Sequence, residues 1–232
     1  MRRRDNSRLA GVKETAVAYQ LVIGNKNTSS WSLRPWIALR HSGIPFTEIN
    51  INLRDADAKA QILQHSPSGK VPALIVNGRV IWDSLAILEY LAEAHPDAQL
   101  WPADAQARAE ARSVAAEMHS GFRPLRDHCP MAILRREPQD TLLEQVETDV
   151  RRIVEVWRGC RARYRAGGPF LFGGFSNADA MYAPVATRFR TYVPDLGRYG
   201  DDGSAQAYID AVLAMPAFVD WEAGARQQTG KP

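Results

Sequence analysis

Three short stretches of this chain carry side chains that could do chemistry. The first is Thr28-Ser29-Ser30-Trp31-Ser32-Leu33-Arg34, a hydroxyl cluster at the point where a helix pattern begins. Serine is a favoured N-cap, so alone the cluster reads as helix capping. The second is Val71-Pro72. X-Pro is the one bond type for which the cis form costs little, and a cis bond there lets Val71 turn both its N–H and its C=O towards a peptide-like ligand. The third is Asp83-Ser84, at the start of another helix pattern, where a hydroxyl and free amides make an anion site. Cys129 and Cys160, the only cysteines, are spaced neither as a redox pair nor as metal ligands.

The elements that must position these residues follow from periodicity and turn chemistry. Residues 19–23 read as a strand, Ser32 to His41 as a helix with Pro35 in its first turn, and 46–51 as a second strand. Asp57 to Gln64 is a short polar helix. Pro72–Val76 and Val80–Trp82 form a hairpin around Asn77-Gly78. Ser84 to Glu93 closes the unit as an amphipathic helix. This order predicts an α/β unit over 19–94, a proline-bracketed linker over 95–103, and an all-helical domain over 104–228. Val146, Val150, Ile153 and Trp157 recur at helical intervals as one buried stripe. Ser176 and Asp179 have capping-box spacing and are assigned to folding.

The chain has 232 residues, a formal charge of +3 and 24% charged residues, with no long apolar run. The positive excess sits in residues 1–18, expected to be a disordered basic tail. The balanced remainder offers no nucleic-acid surface and no membrane span. Two cysteines in a chain of this length fit a reducing cytoplasm.

Gly-Lys-Val-Pro-Ala-Leu over 69–74, Asp-Ser-Leu-Ala-Ile over 83–87, and the Ser-Ser-x-Ser-x-Arg pattern of Ser29, Ser30, Ser32 and Arg34 resemble the glutathione transferase superfamily, in its serine-type, zeta-like and bacterial groups. The resemblance implies a thioredoxin-like α/β N-terminal domain followed by an all-α helical-bundle C-terminal domain, with the bond before Pro72 cis. It implies a homodimer that takes glutathione as cosubstrate, without a metal. Ser29, with Ser30 as nearest competitor, becomes the catalytic hydroxyl. Ser32, Lys70, Val71, Pro72, Asp83 and Ser84 become glutathione contacts, with Val71 pairing the cysteinyl backbone and Asp83 the γ-glutamyl ammonium. His119 and Arg123, in the first long helical region after the linker, are the expected wall for a small electrophilic substrate. The implied activity is thiolate addition to that electrophile. The alternatives are isomerisation of a maleyl-type diacid, which needs a basic pocket, and a non-enzymatic binding module. Trp31 stands where zeta enzymes usually carry cysteine, Asp83 where the family more often has Glu or Gln, and Asn177 where it usually has an apolar residue.

The energetics suit a hydroxyl at a helix start. A free thiol has a pKa near ~8.5, and lowering it by about two units takes roughly 2.7 kcal/mol. A helix N-terminus supplies about 0.3–1 kcal/mol, up to ~2 when sheltered. A charge-assisted hydrogen bond supplies about 1.5–3 kcal/mol. The two together suffice.

Overall fold

The computed structural model describes residues 18–230; the first 17 residues of the basic leader lie outside them. Strand β1 (Tyr19–Ile23) is followed by α1 (Ser30–His41), β2 (Phe46–Asn50), α2 (Ala58–Leu63), β3 (Ala73–Val76), β4 (Arg79–Ile81) and α3 (Ser84–Ala94). The sheet order is β2-β1-β3-β4. β1 runs parallel to β2, with Tyr19 opposite Phe46, and antiparallel to β3, with Val22 opposite Ala73. This is the mixed sheet of a thioredoxin-like unit. Asn77 and Gly78 both have positive φ, 48° and 77°, as a tight hairpin twisted to match its strands requires. The Val71–Pro72 bond is cis.

The helix boundaries depart from the sequence reading in one informative place. α1 begins at Ser30, not Ser32, so Pro35 falls in its second turn and not its first. A proline there withholds the N–H that the carbonyl of Trp31 would otherwise receive. The other differences are shifts of one residue at element ends.

After α3 and a 3-10 turn at Pro96–Ala98 the chain is helical: α4 (Ala105–Ser120), α5 (Arg123–His128), α6 (Glu144–Tyr164), α7 (Asn177–Tyr192), α8 (Ser204–Leu213) and α9 (Pro216–Thr229). α7 is the axis of this region. Every residue in it except Arg190 is buried, and it packs against α1, α4 and α8. The predicted stripe of α6 is buried as expected, with Trp157 against Tyr182, Phe189 and Tyr208. Both cysteines are buried and free, Cys160 within α6 and Cys129 just past α5.

The capping box forms at the start of α7. Asp179 Oδ2 accepts from the Ser176 N–H at 2.8 Å and from its hydroxyl at 3.0 Å. Asn177 explains its departure from an apolar residue. Its amide donates to the Leu88 carbonyl of α3 at 3.0 Å, and its backbone N–H to the Leu100 carbonyl at 2.8 Å, so it ties α7 to the sheet-containing unit. Asn177→Ala removes the first of these ties and costs about 1–2 kcal/mol. Urea unfolding should show a lower midpoint with an unchanged slope.

Candidate active site

At the C-terminal end of β1 the chain turns through residues 24–29 into α1. Ser29 occupies the N-cap position, yet its side chain caps no amide. Its hydroxyl donates instead to Ser32 Oγ at 2.7 Å, and the Gly24 N–H donates to the same oxygen at 3.1 Å. Gly24 fits closely beside them: a Cβ there would displace the exposed Leu53 side chain, met at 2.5 Å, and crowd Ser29 Oγ at 3.2 Å. Ser32 is wholly buried, whereas Ser29 borders a cavity.

That cavity has a volume of about 660 Å³. It is lined by the β1–α1 junction, Thr28 to Trp31, by Leu53 and Ile62, by the loop into β3 with Ser68, Lys70, Val71 and Pro72, and by Trp82 and Asp83. Six of the residues expected to form the site therefore share one cavity: Ser29, Ser30, Lys70, Val71, Pro72 and Asp83.

Four others stand elsewhere. Ser32 supports Ser29 from behind. Ser84 is fully buried, and its oxygen accepts from Arg34 Nη1 at 3.3 Å. The N-cap of α3 is Asp83 and not Ser84: Asp83 Oδ1 accepts from the amides of Leu85 and Ala86 at 3.1 and 3.4 Å. His119 Nε2 lies 2.9 Å from Asp83 Oδ2, so it faces the α3 cap. Arg123 points to solvent, its side chain 88% exposed and paired with Asp127 one turn on.

Two arginines matter more than sequence reasoning allowed. Arg34 is buried, not a solvated surface group, and its guanidinium lies 4.1 Å from the Trp31 ring centre. Burial, followed by repulsion from Arg126 and Arg188, pushes its pKa down to about 9. Arg126 stacks on the same ring at 5.0 Å and donates to the carbonyls of Met118 and His119, closing the end of α4. Trp31 is thus the anvil on which two cations are held at the mouth of α1. Nothing local in the sequence marks Arg126; only its contact with the Ser-Ser-Trp-Ser turn reveals it.

A second, polar cleft of about 930 Å³ shares Thr28 with the first. It is lined by Asn25, Asn27, Asn50 and Asn52 from the strand ends, by Arg54 and Arg135, and by Gln228 of α9. No acidic residue lines it. The carboxamide oxygens are spent on backbone donors: Asn25 Oδ1 accepts from Leu53 N–H, Asn27 Oδ1 from Leu134 N–H, and Gln228 Oε1 from Lys26 N–H. With the oxygens fixed, the amino ends of Asn27 and Gln228 are left as donors. Among the described residues no group of three or more His, Cys, Asp or Glu side chains converges as a metal site. No helix there is long and apolar enough to cross a membrane.

Comparison with known proteins agrees with this architecture. The family model of the glutathione S-transferase N-terminal domain matches residues 28–94. A probable maleylacetoacetate isomerase of Caenorhabditis elegans is 36% identical over 48% of this chain, the match spanning about half, 51%, of that protein. The maleylacetoacetate isomerase of Mus musculus is 30% identical over 75% of this chain and 79% of its own length. Among solved structures, a glutathione transferase homolog from Burkholderia GL BGR1, with bound glutathione, superposes with a TM-score of 0.67 over 90% of this chain and 98% of its own, at 21% identity. The domain match, the relative matched over 79% of its length and the shared fold together make this chain a member of the glutathione S-transferase superfamily, on its zeta-like side.

Proposed function

We propose that this protein is a glutathione-dependent enzyme in which Ser29 steadies the thiolate of bound glutathione for attack on a small electrophile. The observation that carries the reading is a hydroxyl at a helix N-cap that is not spent on capping and that borders the cavity edged by Val71. In this reading the Ser29 O–H rotates from Ser32 to the sulfur, and the Ser32 hydroxyl reverses to donate to Ser29 Oγ. Such a chain strengthens its outer bond. The α1 N-terminus and the cations on Trp31 add positive potential. Val71 pairs with the cysteinyl backbone and Asp83 with the γ-glutamyl ammonium. A homodimer and a cytoplasmic location belong to the same proposal.

The second cleft favours one form of this chemistry. Its amino donors and Arg54 suit an oxygen-rich, anionic partner better than an apolar aryl compound, while Arg135 is already paired with Glu137 at 3.0 Å. A maleyl-type diacid is such a partner, and maleylacetoacetate isomerase is the name borne by the Mus musculus relative. The thiolate adds to the cis double bond, forming a carbon–sulfur bond and an enolate. Rotation about the resulting single bond follows, and expulsion of the thiolate restores a trans double bond. Conjugation stops after addition, or after loss of a leaving group, and consumes the thiol.

Calorimetry is expected to show uptake of glutathione at one site per chain; its absence would sink the reading. Turnover then separates the two outcomes. Maleylacetoacetate should convert with glutathione regenerated, whereas a chlorodinitrobenzene substrate consumes it stoichiometrically. The donor-rich cleft predicts the diacid to be the better substrate.

A further inference from the structure

His119 was expected to wall the electrophile site, yet the structure sets it against the cap of α3, and that position gives it a different task. A carboxylate has about four acceptor positions. Asp83 Oδ1 uses two, on the amides of Leu85 and Ala86. Oδ2 uses one, on His119 Nε2 at 2.9 Å. The position left on Oδ2 belongs to a side chain that lines the cavity and is 45% exposed. Asp83 can only accept, so the proton of the pair sits on Nε2. The other ring nitrogen, Nδ1, is buried without a partner. An imidazolium would strand a charged N–H there, and burial together with the repulsion of Arg34 and Arg126 outweighs Asp83 and holds the pKa of His119 below its ordinary value. The imidazole is therefore neutral at pH 7, and the pair keeps the full negative charge of Asp83.

Resting on the glutathione reading above, we propose that His119 is a positioning residue that holds Asp83 turned into the cavity to receive the γ-glutamyl ammonium. The ring itself is fixed by its edge-on contact with Trp31 at 5.3 Å. Trp31 in turn is gripped by Arg34 and Arg126. The C-terminal turn of α4 thus reaches across to set the recognition of one end of glutathione, without touching the thiol or the electrophile. A cap with amides at 3.1 and 3.4 Å leaves the carboxylate loosely held when that support is absent.

The test compares glutathione with its desamino analogue, glutaryl-cysteinylglycine, by calorimetry. The wild type is expected to prefer glutathione by about tenfold, the worth of one charge-assisted hydrogen bond in this setting. In His119→Ala that preference should fall below about threefold, while kcat at saturating glutathione stays within about twofold of wild type. His119→Gln, whose amide can donate to Asp83 in place of Nε2, should recover most of the preference. An undiminished preference in a folded His119→Ala protein overturns the proposal, and so does a fall in kcat with the preference intact. Failure of the wild type to take up glutathione overturns the glutathione reading itself, and this inference with it. Uptake by the wild type with equal discrimination in the variant overturns the inference alone.

Discussion

Ser29→Ala should lower kcat/KM by about 10- to 100-fold, the cost of one hydrogen bond to a charged sulfur, while glutathione binding is largely retained. The loss should follow the ionisation of the thiol. Spectrophotometric titration of the bound tripeptide should give a thiol pKa raised by about one to two units, and the rate deficit should shrink as the pH climbs past the new value. Ser30→Ala should change the rate less than about threefold, because Ser30 belongs to the first turn and has no part in the Ser29–Ser32 pair. Ser32→Ala should fall between them: the Ser29 hydroxyl survives but loses its partner at 2.7 Å, and with it the relay behind the sulfur. Ser29→Cys is the informative control, since a thiolate at that place can attack oxidised glutathione, forming a mixed disulfide and releasing one molecule of glutathione, and so expose its own reactivity. Equal rates for Ser29→Ala and wild type would end the role assigned to this residue.

The parts of the site that were legible in the sequence are those fixed by local chemistry. Pro72 restricts its own bond and the residue before it, Asn77-Gly78 names its turn, and Asp83 and Ser176 announce helix starts. Each needs only its neighbours to act, so each could be read from a few letters. The hydroxyl pair was half legible. Three-residue spacing put Ser29 and Ser32 near each other, but the Gly24 N–H that locks Ser32, and so spares Ser29 from capping, comes from the end of β1. Arg123 and Arg126 show what a sequence leaves out. They lie three residues apart on α5, and the phase of that short helix decides which one meets Trp31. Phe122, with a left-handed φ of 58°, sets the turn into α5 and thus the phase. No periodicity announces a left-handed phenylalanine. Ser84 does open α3, but the cap falls to Asp83 because it directly precedes the first helical residue, and the Ser84 hydroxyl is left buried against Arg34.

Stability should respond most strongly at Asp179. This carboxylate is fully buried, yet among the described residues it pairs with no arginine or lysine. Its Oδ1 accepts from the Leu171 N–H at 3.0 Å, and its Oδ2 from the Ser176 amide and hydroxyl. It thereby joins the turn before α7 to the first turn of the helix around which α1, α4 and α8 pack. Asp179→Ala leaves two buried amides without acceptors and opens a polar void, and should cost about 3–5 kcal/mol. Asp179→Asn should recover only part of that, because its amino group must face either Leu171 N–H or Ser176 N–H, donor against donor. The ionisation of Asp179 gives a second, independent reading. Burial is the largest influence and raises its pKa from 3.8 to about 6, against the opposing pull of the hydrogen bonds from Leu171, Ser176 and Tyr208. The folded state then holds this proton more tightly than the unfolded chain does. The stabilisation from the protonated form is complete below about pH 3.8 and is lost as the pH rises through about 6. Measured between those limits, the unfolding free energy of the wild type should carry a contribution that falls with pH, and the Asp179→Asn protein should lack it. Since the same box orients α7 under α1, any variant that loosens it should also blunt the Ser29 site. Thiol pKa and unfolding midpoint should then move together in Asp179 variants, while in Ser29 variants only the thiol pKa should move.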